Sequence, residues 1–419
     1  MIRKTLFGAT FALLSASAAF AATEPAAVIK HYADVAHAKY EDSLTTAKAL
    51  DTTIDALIAK PSADTLKAAR AAWIAARVPY QQSEVYRFGN PLVDDWEGKV
   101  NAWPLDEGLI DYVDASYGTE SDSNAYYTAN IIGHPTLTVN GETIDAKKIT
   151  PELLESLQEA GEVEANVATG YHAIEFLLWG QDLHGTEAGA GERAYTDYDK
   201  ANCTNGNCDR RGEYLKAAST LLIKDLQEMV DAWAPGGEAT KNVEADPKAG
   251  LTAILTGMGS LSYGELAGER MKLGLLLHDP EEEHDCFSDN THASHLNDAV
   301  GIAAAYTGNY TRVDGTKMTG PSLSDLVKVK DAKIDTEMTG KLDATLAAMN
   351  AMADRAKGGE AYDQMIGDGN KEGNAVVQKA IDGLIDQTKT IERVITALDL
   401  GSVSLEGSDS LDNPDAVFK

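Results

Sequence analysis

Helical periodicity dominates this chain, and strand signals are confined to one short segment. Over most of the 419 residues, apolar side chains recur at the three- and four-residue spacing that buries one face of an α-helix. The clearest case is the stretch 26–59, which predicts one long helix that ends before Pro61. The exception is Thr136–Ile144, where Asn140-Gly141 predicts a β-hairpin turn. The expected fold is mostly α, with one small β-hairpin insertion.

Proline residues mark the ends of other predicted helices. The second helix is expected over residues 63–88, with Pro79 kinking or dividing it. Residues 90–149 look irregular apart from the hairpin. Thr150-Pro151 is a typical helix start, and a later helix is expected from about Val163 to Trp179.

The chain is longer than one hydrophobic core usually supports, so two packed helical-bundle domains are expected. A loop over residues 180–206, rich in Gly, Asp and Asn, suggests the boundary between them. The predicted units are an N-terminal helical domain over 22–200 and a C-terminal helical domain over 201–419.

The first 21 residues have the pattern of a secretory signal peptide. Arg3 and Lys4 give a basic start, residues 6–20 are apolar, and Ala19-Phe20-Ala21 is a small-x-small cleavage site. No cysteine lies near this cleavage point, which argues against a lipoprotein anchor. The expected location is therefore the periplasm, with no membrane span after removal of the signal.

The chain is strongly acidic, with a formal net charge of −30. Nucleic acid is not expected as a partner, because its phosphate backbone requires neutralising cations. An acidic surface is compatible with the capture of cations, although such surfaces also serve solubility alone.

A histidine–glutamate pair gives the strongest functional signal. His172 and Glu175 lie three residues apart in Gly170–Gly180, an apolar stretch with the pattern of a buried helix, so both side chains share one helix face. A metal ion would favour the neutral imidazole and the ionised carboxylate together. Pairs at this spacing also occur as purely structural hydrogen bonds, and both interpretations stay open at this point.

The motif Gly170-x-His172-x-x-Glu175 resembles the signature of the imelysin family of bacterial envelope proteins, in particular its iron-regulated protein A branch. The resemblance extends to three further blocks, Val78–Asn90, Asn101–Asp111 and Gly257–Arg270, and covers nearly the whole chain after the signal. It implies two helical-bundle domains with the His–Glu helix near their interface. It also implies a role in iron uptake or in the handling of iron in the envelope.

A metal site needs more than two ligands, and several acids lie among apolar neighbours where charge is unexpected. These candidate metal ligands are Glu84, Asp106, Glu107, Glu265 and Glu269. The alternative for each is a solvated surface or an ion pair, and Arg270 is close in sequence to the last two.

A second concentration of possible ligands lies within residues 284–295, which hold three of the nine histidines. The candidates for a second metal site are His284, Asp285, Cys286, His292 and His295. The alternative is a polar connection that ends in a helix cap.

Two of the three cysteines, Cys203 and Cys208, flank a turn-like stretch. In an oxidising compartment they are candidates for a disulfide that closes a small loop. Zinc binding through these thiols is the weaker alternative, because the chain has no second pair of cysteines.

The favoured function is a periplasmic metal-binding protein that serves iron uptake or the handling of iron in the envelope. Iron as the cofactor is implied mainly by the resemblance to the imelysin family. Oxygen ligands with one or two histidines also suit iron better than copper, while zinc and calcium stay open. The expected partners are a metal ion or metal chelate and an envelope protein.

Two other functions are kept as alternatives. The first is a metallopeptidase of the cell envelope, since the family has been catalogued with metallopeptidases. The zinc-protease pattern His-Glu-x-x-His is missing. The reversed pattern His-x-x-Glu-His is also missing, because Phe176 follows Glu175. The second is a non-catalytic receptor for a metal chelate or haem. Binding without catalysis is the favoured interpretation.

Overall fold

A computed structural model describes residues 24–418, so the predicted signal peptide lies outside the described residues. The predicted mostly helical fold is confirmed. None of the helices in this range is long and apolar enough to cross a bilayer. In chain order, the α-helices are α1 (Pro25–Ala59), α2 (Ala63–Gln81), α3 (Pro91–Glu97), α4 (Pro151–Leu157), α5 (Gly170–Trp179), α6 (Cys208–Trp233), α7 (Glu238–Glu244), α8 (Pro247–Ser260), α9 (Leu273–Leu277), α10 (Thr291–Thr307), α11 (Leu323–Lys330), α12 (Ala332–Lys357), α13 (Tyr362–Ile366), α14 (Lys371–Ala397) and α15 (Asp409–Asp412).

Other helical and extended segments are short. A π-helical segment, Leu261–Lys272, joins α8 to α9. The 3₁₀ turns are Glu84–Tyr86, Glu107–Leu109, Ala115–Tyr117, Ala160–Glu162, Tyr195–Asp197, Pro280–Glu282 and Pro414–Ala416. The strands form two antiparallel pairs, β1 (Thr136–Val139) with β2 (Glu142–Asp145) and β3 (Tyr310–Thr311) with β4 (Lys317–Met318).

The predicted hairpin is confirmed, since Val139 pairs with Glu142 across the Asn140-Gly141 turn. Both turn residues have positive φ, the conformation that this dipeptide adopts readily. The second strand pair was not predicted, because two-residue strands are too short to show an alternating pattern.

Local sequence explains where the first two helices begin and end. α1 has Pro25 in its first turn, where the missing N–H costs no hydrogen bond. It ends at Ala59 because Lys60 precedes Pro61 and adopts a non-helical backbone. α2 begins at a capping box formed by Ser62 and Thr65.

Two predicted helix spans are wrong at one end. The second helix stops at Gln81 instead of 88, two residues after Pro79, and the chain continues into the 3₁₀ turn Glu84–Tyr86. The helix predicted from Val163 begins only at Gly170. There the chain turns with φ +81°, and any Cβ would lie 2.4 Å from the Val100 carbonyl oxygen.

The helices pack around α1, which is buried along much of its length. α2 and α6 lie against it, and α5 packs between α2 and α6. α10 contacts both α2 and α12, and α12 packs against α14. One contiguous hydrophobic cluster runs through nearly all of these helices. The division into two domains at residue 200 stays a prediction.

The core also encloses a lysine. Lys39 on α1 is fully buried, and its Nζ donates to the Gln82 carbonyl oxygen at 2.7 Å. The rings of Tyr86 and Tyr310 lie 5.0 and 5.6 Å from the same nitrogen. Burial lowers the pKa of Lys39 from 10.5 to about 7.

Replacement of Lys39 is expected to flatten the pH dependence of stability. Between the folded pKa of about 7 and the unfolded value of about 10.4, only the unfolded chain binds the proton, so the free energy of unfolding rises with pH. Lys39→Met removes this titration. Urea unfolding at pH 7 and 9.5 measures the slope, and Lys30→Met, an exposed lysine in the same helix, should keep it. Equal slopes in both variants would refute this account.

Candidate metal centre

The pair on α5 is enclosed by protein on all sides. His172 and Glu175 are both fully buried, and His172 Nδ1 lies 3.1 Å from Glu175 Oε2. The second carboxylate oxygen, Oε1, accepts from the backbone N–H and the Oγ of Ser288 at 3.0 and 2.6 Å. Both oxygens of Glu175 therefore have hydrogen-bond partners within the protein.

The opposite side of the His172 ring is unpartnered. Its Nε2 is buried and has no hydrogen-bond partner among the described residues. If Nδ1 carries the proton and donates to Glu175, Nε2 presents a lone pair. A histidine held by a carboxylate in this way is typical of metal ligands.

The loop before α10 brings two further candidate ligands to this histidine. Ligand atoms of His172, His284 and Asp285 all lie within 4.8 Å of one another, and all three residues are buried. The two imidazole rings have centroids 4.8 Å apart, and the Trp103 ring lies 5.1 Å from that of His172. Within residues 24–418, this is the one His, Cys, Asp and Glu group so closely gathered.

A buried arginine from α2 holds the carboxylate of this cluster. Arg77 Nη2 donates to Asp285 Oδ1 at 2.8 Å, and Nη1 donates to Asn101 Oδ1 at 2.6 Å. The other oxygen of Asp285 accepts from Asn290 and Ser294. Asp285 is thereby fixed in place and has a compensating charge beside it.

These surroundings favour uncharged histidines. Burial, followed by the charge of Arg77, lowers the pKa of His172 well below 6.5, and burial with Arg270 does the same to the pKa of His284. Burial and the nearby Asp285 raise the pKa of Glu175 well above 4.5. Burial also raises the pKa of Asp285, but Arg77 and its other partners outweigh this effect and bring it below 3.8.

An acidic cleft of about 370 Å³ reaches the cluster at His284. Trp103 and Arg270 also line it, but most of its charged groups are glutamates. The glutamates in its lining are Glu97, Glu159, Glu164, Glu265, Glu269 and Glu282. Such a cleft attracts cations toward the two histidines.

Two of the predicted acids are ion-paired close to this cleft instead of gathering at His172. Arg270 is buried and contacts Glu84 at 2.8 Å, Glu265 at 2.8 Å and Asp298 at 3.2 Å. Glu265 also lies 3.5 Å from Arg87. The last of the predicted cleft acids, Glu269, is exposed at the rim.

The remaining predicted residues lie in other surroundings. Asp106 accepts from Asn124 at 2.5 Å. Glu107 and the buried thiol of Cys286 line a separate small cavity. His295 is fully buried, and His292 is partly buried at the start of α10; neither belongs to the three-residue cluster.

Cys203 and Cys208 form a disulfide. It lies at the N-terminal end of α6, beside an ion-pair network in which Arg193 and Arg211 both contact Asp111. This network is a separate structural feature from the His172 cluster.

Sequence reasoning missed three groups that support the cluster. Arg77 in its helical pattern and Asn101 in an irregular stretch carry no local signal, because arginine and asparagine are ordinarily exposed. Ser288 lies within the segment 284–295 that was singled out, but its partner Glu175 is distant in sequence. Only the packing of the loop against α5 connects them.

Fold and site together define a helical protein with a buried two-histidine, one-carboxylate cluster at the end of an acidic cleft. The family model described as imelysin matches residues 36–391. This chain belongs to the imelysin family.

A solved structure shares the fold. It is the crystal structure of a proposed iron-regulated protein A precursor from Parabacteroides distasonis, 20% identical, with a TM-score of 0.64 over 91% of this chain and 97% of that chain. Comparison with curated proteins finds no significant sequence match.

Loss of Arg270 is expected to destabilise the fold strongly. Arg270→Met leaves Glu84 and Asp298 buried without their counter-charge, which should cost about 3–5 kcal/mol in the free energy of unfolding. The control is Arg393→Met, whose ion pair with Glu337 is half exposed and should contribute less than about 1 kcal/mol. Urea denaturation measures both, and equal effects would contradict a stabilising role for Arg270.

Proposed function

We propose that this protein is a periplasmic metal-binding protein of the imelysin family that binds iron through His172, His284 and Asp285. The observation that carries this proposal is that His172, His284 and Asp285 are all buried and have ligand atoms within 4.8 Å of one another. In addition, the buried Nε2 of His172 has no hydrogen-bond partner among the described residues. A buried imidazole nitrogen without a partner is unfavourable, and a bound cation would satisfy it.

Each residue then has a distinct role. His172 through Nε2, His284 and Asp285 are the proposed ligands, and a bound ion would supply Lewis acidity or redox chemistry there. Glu175, predicted as a ligand, is proposed instead to orient His172, because both of its oxygens are already hydrogen-bonded. Arg77 holds Asp285 and limits the negative charge of the site.

Two observations support iron as the bound metal: the types of the proposed ligands and the description of a related structure. Two imidazoles with one carboxylate are typical of non-haem Fe(II) sites, whereas calcium prefers oxygen ligands alone. The related structure is described as a proposed iron-regulated protein A precursor, and that description supports both the iron and the export of this chain. Zinc accepts the same donors and is the competing metal.

A metallopeptidase is the second candidate, because two histidines and a carboxylate also form catalytic zinc sites. Such an enzyme requires a general base facing the substrate. Glu175 is fully buried and does not line the cleft, so this arrangement favours binding over hydrolysis.

Removal of a proposed ligand is expected to abolish metal binding. His172→Ala and His284→Ala should each lower the iron content of the purified protein at least tenfold, because a three-ligand site loses one donor. Glu175→Gln keeps its shape but weakens the hold on His172, and should reduce affinity by about 10–100-fold. Elemental analysis and anaerobic Fe²⁺ titration provide the measurements.

The matched control is His184→Ala, a partly exposed histidine that contacts Asp182 and should leave the iron content unchanged. Wild-type iron content in both His172→Ala and His284→Ala would disprove the proposed centre. Cleavage of unfolded substrates by zinc-loaded wild type, and not by Glu175→Gln, would favour the peptidase.

Burial of the histidines also changes the expected pH dependence of metal affinity. Two exposed histidine ligands would lose affinity by about 100-fold between pH 7.5 and 5.5, because protons compete near pH 6.5. The pKa of His172 and that of His284 are both lowered well below 6.5, so the loss should be less than about threefold over this range.

One cleft residue complicates this measurement and supplies its control. Burial raises the pKa of Glu97 to about 7, so its protonation weakens cation attraction over the same range. Anaerobic Fe²⁺ titrations from pH 7.5 to 5.5 are therefore made on Glu97→Gln as well. A tenfold loss per pH unit below 6.5 in that variant would contradict burial as the controlling factor.

A further inference from the structure

A small cavity outside the His172 cluster is lined by carboxylates from three segments. Glu107 belongs to a 3₁₀ turn, Asp182 follows α5, and Glu281 and Glu283 precede α10. The cavity has a volume of about 10 Å³, which is close to the space that a single water molecule occupies. The cavity is therefore large enough for one metal ion.

These carboxylates have no lysine or arginine partner among the described residues. Within residues 24–418, no lysine or arginine nitrogen lies within 4.0 Å of any of the four, and the nearest compensation is His184 beside Asp182 at 2.8 Å. Several buried acids elsewhere are paired, as Asp285 is with Arg77 and Glu84 is with Arg270. Of the cavity carboxylates, Glu283 is fully enclosed whereas Glu281 is exposed. A buried acid without a counter-charge requires a proton or a cation.

One of the four points to a missing ligand directly. Glu283 is 1% exposed, and its Oε2 has no hydrogen-bond partner among the described residues. Next to it, Asp363 on α13 is equally buried, and neither of its carboxylate oxygens has a hydrogen-bond partner in that part of the chain. Unpartnered buried oxygens at one place are the feature that a bound cation would explain.

We propose that this cavity is a second cation site, distinct from the His172 centre, which binds one hard divalent ion of the calcium type through Glu107, Asp182, Glu281 and Glu283. The donors are all oxygens, which calcium prefers. They are spaced more widely than the ligand atoms of the His172 cluster, which alone gather within 4.8 Å. Calcium bonds of 2.3–2.6 Å place opposite ligands about 5 Å apart, and each carboxylate can supply one or two oxygens.

The site would have a structural consequence for the metal centre. Glu283 directly precedes His284 and Asp285, and Asp182 follows the helix that carries His172. A cation in the cavity would join these segments and hold the loop in the position that the iron ligands require. Cation binding in this cavity does not depend on iron binding, so the two sites can be tested separately.

Calorimetric titration of the chelator-treated protein with CaCl₂ and with MgCl₂ tests the proposal. One equivalent of Ca²⁺ should bind both to wild type and to His172→Ala. Glu283→Gln and Asp182→Asn should weaken this binding at least about tenfold, because the charge of the ligands sets the affinity. Glu120→Gln, an exposed glutamate, should bind Ca²⁺ as wild type does.

Two results with wild type and the double cavity variant would overturn the proposal. One is the absence of Ca²⁺ and Mg²⁺ binding to wild type, and the other is binding that persists in the Glu283→Gln, Asp182→Asn double variant. Loss of Ca²⁺ binding in His172→Ala would also overturn it, since that places the ion at the iron centre. If the cavity variants fail to fold, Tb³⁺ luminescence on wild type and His172→Ala decides. Emission that CaCl₂ displaces from both proteins supports the site, and emission that it displaces from neither refutes it.

Discussion

The ion pair between Arg77 and Asp285 is the interaction on which the arrangement of the candidate centre depends. Both side chains are closed to solvent and lie 2.8 Å apart, so neither charge could be buried here without the other. The pair joins α2 to the loop that carries His284, Asp285 and Ser288. Because Ser288 in turn donates to Glu175, this one contact connects α2, the loop and α5.

The buried acids of this fold form two groups, those with an arginine partner and those without one. Most buried acids have an arginine from another segment, as in the contacts of Arg270 with Glu84 and Asp298. Such pairs hold helices in register but do not attract ligands, because their charges are already compensated. Within the part of the chain that the structure describes, the acids around Glu283 have no arginine partner, and one nitrogen of the His172 imidazole has no hydrogen-bond partner. The places where compensation is incomplete are the places where a cation would be stabilised.

The geometry also separates residues that bind from residues that position. Spacing alone made His172 and Glu175 equivalent candidates for a metal ion. In the folded protein Glu175 is satisfied on both oxygens, whereas His172 is satisfied on one nitrogen only. A carboxylate that holds the ligating histidine fixes its tautomer and orientation, so the glutamate of the motif can matter to metal binding without touching the ion.

The sequence by itself determined the features that depend on neighbouring residues: the long α1, the hairpin at Asn140-Gly141, and the shared face of His172 and Glu175. These follow from helix periodicity and turn chemistry, which act over a few positions. Tertiary structure alone decided that His284 and Asp285 lie against His172, and that Arg270 neutralises Glu84 and Asp298. It also set the start of α5, where Gly170 lies against the Val100 carbonyl. These contacts join segments that are distant along the chain. They depend on the packing of several helices against one another, and the residue pattern within one helix does not predict that packing.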